Sequence, residues 1–247
     1  MNQLKFPSVL LCAAMAFFLT SCGGSEEKTN TGTTTSDSTV TTATSETTPE
    51  TNVVTTSENI MIARHKVSNY AKWKDSYEAH DSLRVANGLH SYVIGRGVED
   101  SNTVMVAVKA DDMAKAKAFA KDPSLKQAMQ KGGVVGTPSF RFTTVVYQDM
   151  AKNISDLRAM NMFTVKDWEA WKKSFESSRQ IRADNGLTDR AYGYDADDNH
   201  KVILVLAIND TAKAEAFWKS DLIKQRRAEG GVVGDVQRFV YRVVQKY

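Results

Sequence analysis

Apolar and polar positions alternate along this chain with a period that switches between that of a strand and that of a helix. "IMIARHKV", from Ile60 to Val67, is a short β-rich run. Tyr70, Trp73, Tyr77, Asp81 and Arg84 then recur at helical spacing, and the stretch ends in "ANGL", where Gly88 can take the left-handed conformation that stops a helix. "LHSYVIGR" and "TVMVAVKA" follow, separated by the turn-like "GVEDSN", and predict a hairpin. Asp111 or Asp112 can cap a second helix through "MAKAKAFAKDPSLKQAMQK", broken at Pro123, before a last strand, "SFRFTTVVY". The order is βαββαβ, a ferredoxin-like split unit.

The same order returns. "YAKWKDSYEAHDSLRVANGL" (Tyr70 to Leu89) aligns with "WEAWKKSFESSRQIRADNGL" (Trp168 to Leu187), and "DDMAKAKAFAKD" with "NDTAKAEAFWKS". No gap is needed up to a second copy of "GGVVG", so the body reads as one unit used twice. The second copy runs through "AMNMFTV", a Trp168 to Asn185 helix, "DRAYGYD", "KVILVLAI", an Ala212 to Ala228 helix and "QRFVYRVVQKY". Val104, Val106 and Val108 alternate with Met105 and Ala107, and Val202, Leu204 and Leu206 with Ile203 and Val205. Both faces of these strands are therefore apolar. Helices cover one face of such a sheet; the tandem copy can supply a second sheet for the other. The expected class is α+β, two tandem ferredoxin-like units pairing sheet to sheet as an intrachain barrel.

The two "GGVVG" segments, Gly132 to Gly136 and Gly230 to Gly234, raise the question of a phosphate loop. Phosphate loops lead from a strand into a helix whose N-terminal amides meet the anion. These lead from a helix into a strand, so they read as helix-ending turns with Val134/Val135 and Val232/Val233 tucked into the domain.

Upstream of this body the pattern changes. Lys5 precedes the apolar run "VLLCAAMAFFL", which suits a signal peptide and is too short to span a bilayer. "LTSC" (Leu19 to Cys22) resembles the bacterial lipobox, which implies removal of residues 1–21 and lipidation of Cys22, with the membrane as partner through the acyl chains. "GGSEE" resembles the export signal of bacterial surface lipoproteins, so surface display stands beside retention facing the periplasm. From residue 22 to 57 the chain is rich in Ser and Thr and reads as a solvated tether, with Ser38 in "DST" a candidate glycosylation site. The expected boundaries are then 58–148 for the first unit, 149–157 for a connector and 158–247 for the second unit. The localisation implied is the bacterial cell envelope, anchored to the outer membrane.

Composition removes several classes of function. The net charge of +3 comes from interspersed residues, without the basic block that nucleic acid would require. Cys12 lies in the segment to be discarded and Cys22 would carry lipid, so the mature domains hold no thiol for disulfides, thiolate metal sites or nucleophilic chemistry. No two of the four histidines have the helical spacing of a metal site, and no metal is expected.

"HKV", "WK", "R-x-x-NGL", "KAKAF" and "GVVG-x-P" together resemble the dimeric α/β-barrel superfamily, near its antibiotic-biosynthesis-monooxygenase-like and cyclase-like members. The resemblance runs from about residue 60 to the end and implies a pseudo-dimer formed within one chain. Haem-handling relatives use a proximal histidine on the second helix, and neither 112–131 nor 210–229 contains one, so no cofactor is expected. The candidate ligand-binding residues are His65, which would face the barrel interior where the second copy has Phe163, Arg84 and Arg182 at equivalent helix ends, Trp73, His80 and His90. Asn161 stands on the first strand of the second copy, where haem-degrading relatives carry an asparagine. The expected function is binding of a small apolar or aromatic ligand by an anchored envelope protein, with a cofactor-independent monooxygenase-like enzyme, or a structural or interaction module, as alternatives.

Overall fold

The computed structural model describes residues 52–152 and 154–247. Cys22, Ser38 and the expected signal segment lie outside the described residues. The first unit comprises β2 (Glu58–Val67), α1 (Tyr70–Ala79), α2 (Asp81–Ala86), β3 (Leu89–Gly97), β4 (Thr103–Ala110), α3 (Met113–Phe119), α4 (Pro123–Lys131) and β5 (Val134–Asp149), preceded by a two-residue β1 (Val53–Val54). The second comprises β6 (Leu157–Val165), α5 (Trp168–Ser177), α6 (Arg179–Asp184), β7 (Leu187–Asp195), β8 (Asp198–Ile208), α7 (Thr211–Lys219), α8 (Asp221–Glu229) and β9 (Val232–Lys246).

Each helix read as continuous before "NGL" is two, and so is the Ala212 to Ala228 helix, which breaks at Ser220. The helical path breaks at His80 and again at Ser178, both with φ near −100° and ψ near 15°. Side-chain oxygens of Asn69, Asp112, Asp122, Asp167 and Asp210 accept from backbone amides in the first turns of α1, α3, α4, α5 and α7. These caps satisfy donors that a helix start leaves orphaned. Pro123 opens α4, where its missing N–H costs nothing.

The strand order is β1-β5-β2-β4-β3-β9-β6-β8-β7, and β5 also pairs with β7. Eight strands therefore close into a barrel. The long strands β5 and β9 make the closure, because each pairs with the first strand of its own unit and with the second strand of the other. Every pair is antiparallel, with helices outside. Closure removes the free edges that an open sheet would present.

The alternation on β4 and β8 sorts the core into three layers. Val104, Val106 and Val108 join Met61, Val67, Trp73 and Phe119 beneath the first unit's helices. Val202, Leu204 and Leu206 do the same with Trp168, Trp171 and Phe217 in the second. Met105, Ala107 and Ile203 turn the other way, into the barrel, with Ile60, Ile62, Met160 and Tyr241. No helix among the described residues is long and apolar enough to cross a membrane.

The glycine-rich segments end α4 and α8 as expected, with Gly133 at φ +82° and Gly231 at φ +67°. Their valines differ from expectation. They already belong to β5 and β9, paired with residues at the ends of β2 and β6, and Val135 and Val233 point to solvent while Val134 and Val232 are half-buried. Strand alternation explains the split, since neighbours on one strand cannot both face the core.

Candidate functional site

His65 does not face the barrel interior. With Met61 and Val67 it lies on the helix side of β2, where its ring packs on Trp73 at 5.5 Å between centroids. The expectation failed because both faces of the strand are apolar, so the sequence pattern could not say which one the helices cover. Phe163 occupies the matching place in the second unit and packs on Trp171 at the same 5.5 Å.

His65 lines an apolar pocket of about 70 Å³ between the first unit's helices and sheet, together with Trp73, Tyr77, His80, Arg84, Leu125 and Met129. Four of the residues singled out from sequence therefore converge: His65, Trp73, His80 and Arg84. His80, freed by the break between α1 and α2, donates from Nδ1 to the Ser76 carbonyl at 2.6 Å. Arg84 is buried. Its guanidinium lies 3.6 Å over the Tyr77 ring, with Nη1 donating to the Tyr77 carbonyl at 2.6 Å and Nη2 to Asp81 at 2.9 Å.

Two side chains on this wall have buried polar atoms without hydrogen-bond partners among the described residues. His65 is 5% exposed, and neither ring nitrogen is bonded. Arg84 Nε is likewise unpaired. Buried polar atoms without partners are rare, because each forfeits its hydration for nothing. Burial holds the His65 pKa down at about 4, so the imidazole is neutral near pH 7 and keeps one lone pair and one N–H to offer.

Arg182 and His90 lie elsewhere. Arg182, the counterpart of Arg84, is held by both oxygens of Asp189, each at 2.6 Å, and by the Phe175 carbonyl at 2.7 Å. Asp189 corresponds to Ser91, whose hydroxyl shares a hydrogen bond of 2.7 Å with that of Tyr77. The first unit thus carries the arginine without the carboxylate that completes its fork. His90 is on the surface, paired with Asp111 at 3.0 Å.

The second unit's pocket, about 90 Å³, keeps Arg182 at the place of Arg84 and adds polar groups at other places on the wall. Asn161 stands where the first unit has Ala63, and Arg238 where it has Phe140. Arg238 Nε donates to Asn161 Oδ1 at 2.8 Å and its guanidinium stacks 3.7 Å from the Trp218 ring. Asn161 donates in turn to the carbonyls of Ala159 and Leu204. Burial, with a smaller contribution from Arg227, lowers the Arg238 pKa to about 10. Sequence reasoning missed Arg238; its signal was a lone arginine in the apolar alternation of "QRFVYRVV", equally readable as an outward-facing residue.

The barrel is not filled. A separate cavity of about 310 Å³ occupies its interior, lined by Ile60, Met105, Met160 and Ile203 and reaching Arg158 and Arg190 at one end. Neither His65 nor Arg84 touches it. Among the described residues, no group of three or more His, Cys, Asp or Glu side chains is placed to hold a metal ion.

No family model matches the chain, and no curated protein matches it by sequence. Solved structures do. The chain is similar to a protein from Fusobacterium nucleatum subsp. nucleatum ATCC 25586, provisionally named a monooxygenase, at TM-score 0.50 and 12% identity over 76% of this chain and 93% of that one. It is similar also to an anthrone oxidase-like protein, at TM-score 0.54 and 13% identity over 77% of this chain and 92% of that one. At such identities the likeness defines the fold class: an α+β protein in which two ferredoxin-like units form a dimeric α/β barrel within one chain. Fold alone does not fix chemistry.

Proposed function

We propose that this chain is an envelope protein, anchored through lipid on Cys22, whose first unit binds a small aromatic ligand carrying a hydroxyl group. The observation that supports the reading is His65: a neutral imidazole, buried against Trp73, with both nitrogens unbonded, in the wall of a largely apolar pocket. A ligand hydroxyl can donate to one nitrogen or accept from the other, and its ring can lie among Trp73, Tyr77 and Leu125.

The pocket is tight. A benzene-sized guest fills a cavity of about 150 Å³, against about 70 Å³ here. Entry therefore requires α4 to swing outward. That helix has no buried residue, presents only Leu125, Ala128 and Met129 to the pocket, and begins at the break before Pro123.

Binding is favoured over catalysis by magnitude. An imidazole with a pKa of about 4 faces phenols of pKa ~10, and full proton transfer across six units costs about 8 kcal/mol. His65 in this state is a hydrogen-bond acceptor rather than a general base. The names of the structural neighbours supply the competing reading, a monooxygenase-like or oxidase-like enzyme. Turnover of a quinol panel that disappears in His65→Ala would establish it.

Calorimetry with phenol, hydroquinone and 2-naphthol, set against benzene and naphthalene, tests the binding reading. Hydroxylated ligands should bind, their analogues should bind at least tenfold more weakly, and His65→Phe should remove the difference. No preference for the hydroxyl in the unsubstituted protein would refute the reading. The anchor is tested separately by mass spectrometry of membrane-extracted protein: a mature chain with Cys22 unmodified would rule it out.

A further inference from the structure

The barrel cavity differs from the helix-side pockets in size and in charge. At about 310 Å³ it lies within the ordinary range of small-molecule sites. Its walls are apolar along Ile60, Ile62, Met105, Met160 and Ile203, and one end is cationic. Arg158, the second residue of β6, lies there and is only 4% exposed. Its hydrogen bond runs from Nη1 to the Leu157 carbonyl at 3.2 Å, and no carboxylate among the described residues lies within ion-pairing distance of it.

Arg190, on β7, lines the same end. It donates to the Ala151 carbonyl at 3.1 Å and reaches Asp149, which also lines the cavity, at 3.5 Å, so that carboxylate is already engaged. Lys152 and Lys246 stand at the rim, the latter 3.3 Å from Asp156. Burial first, and Arg190 second, lower the Arg158 pKa and outweigh the opposing pull of Tyr241, Asp156 and Asp149, as expected of a guanidinium only partly compensated. A neighbouring pocket that shares Ile203 is different: Arg141 and Lys201 stand there together with Asp195 and Asp235. An under-compensated buried arginine and a second arginine at one end of an apolar cavity present guanidinium forks of the kind that recognises a carboxylate.

We propose that the barrel interior binds an organic anion with an apolar tail, of the medium-chain carboxylate class, its head group between Arg158 and Arg190 and its tail running toward Met160 and Ile203. The site is independent of the His65 pocket and takes a different ligand. An acidic head group with a pKa near that of Glu, about 4.3, is ionised at neutral pH, and the tail removes its surface from water against the walls.

The test is calorimetry on the intact chain in detergent-free buffer, with decanoate, decanol and decyltrimethylammonium as probes. Decanoate should bind once per chain and at least tenfold more tightly than decanol, and the cation should not bind. Arg158→Met should weaken decanoate at least tenfold while leaving decanol unchanged, Arg158→Lys should restore part of the loss, and Ile203→Trp should abolish binding by filling the cavity. His65→Phe should leave decanoate binding intact, which separates this site from the helix-side one. Equal affinity for decanoate and decanol, or decanoate binding that survives both Arg158→Met and Ile203→Trp, overturns the proposal. A measurement on the unsubstituted protein covers the case in which these variants fail to fold: a photoreactive diazirine decanoate should label Met105 or Met160, and adducts confined to helix-side residues such as Trp73 or Leu83 overturn it.

Discussion

His65 and Phe163 are the same position filled twice, each packed on a tryptophan at the same distance. The second unit thus shows what the first would hold if packing alone were served. His65→Phe removes two unbonded buried nitrogens without changing the shape of the site, so it should stabilise the fold by about 1–3 kcal/mol. It should also remove a pH dependence. Between the ordinary value of 6.5 and the native value of about 4 the unfolded chain holds a proton on this residue that the native chain does not. Stability therefore falls as the pH drops through that window, by ~3 kcal/mol in full. Denaturant melts at pH 7 and pH 4.5 should show that loss in the unsubstituted protein and a smaller one in His65→Phe; equal losses in both would assign the dependence to other groups. The paired arginines separate similarly. Arg182→Met strands the buried Asp189, leaving it Arg179 at 3.4 Å, and should cost about 3 kcal/mol. Arg84→Met leaves only the half-exposed Asp81 and should cost about 1 kcal/mol or less. The difference between Asp189 and Ser91 was present in the sequence, but only the fold brings either beside its arginine.

At the scale of elements, the succession of strand and helix segments was legible wherever a local rule applied: the Asp and Asn caps, Pro123, and glycines 88, 133, 186 and 231 all mark ends that their backbone chemistry requires. The breaks at His80 and Ser178 were not legible, since Tyr77, Asp81 and Arg84 keep helical spacing across the first of them. The two seams were equally hidden, because pairing between distant strands leaves no periodic trace. Each seam carries a glycine. A Cβ on Gly193 would come within 2.0 Å of the Thr144 carbonyl oxygen on β5, and one on Gly95 within 2.3 Å of the Tyr241 ring on β9. A ring can turn aside and a paired backbone cannot. Gly193→Ala should therefore destabilise by about 3 kcal/mol and Gly95→Ala by about 1–2 kcal/mol, measured by urea unfolding. Equal costs would mean that the seams do not differ in this way.

For the molecule as a whole, apolar residues on both faces of β4 and β8 required something on each side of the sheet, and barrel closure is how the chain supplies it. Which face held the histidine, and whether the interior was filled, depended on side-chain volumes across strands far apart in sequence. The two units present the same wall with different polar groups, His65 in one and Asn161 with Arg238 in the other. That difference carries the central claim: the first unit binds through an unbonded neutral histidine. Nitrogen NMR of the ¹⁵N-labelled imidazole of His65 tests it directly, by titration from pH 8 to pH 5 and then with phenol at pH 7. The ring should stay neutral throughout the titration, and phenol should shift one His65 ring nitrogen while His90 and His200 stay unmoved. A ring that titrates near 6.5, or phenol that leaves His65 undisturbed, would contradict it.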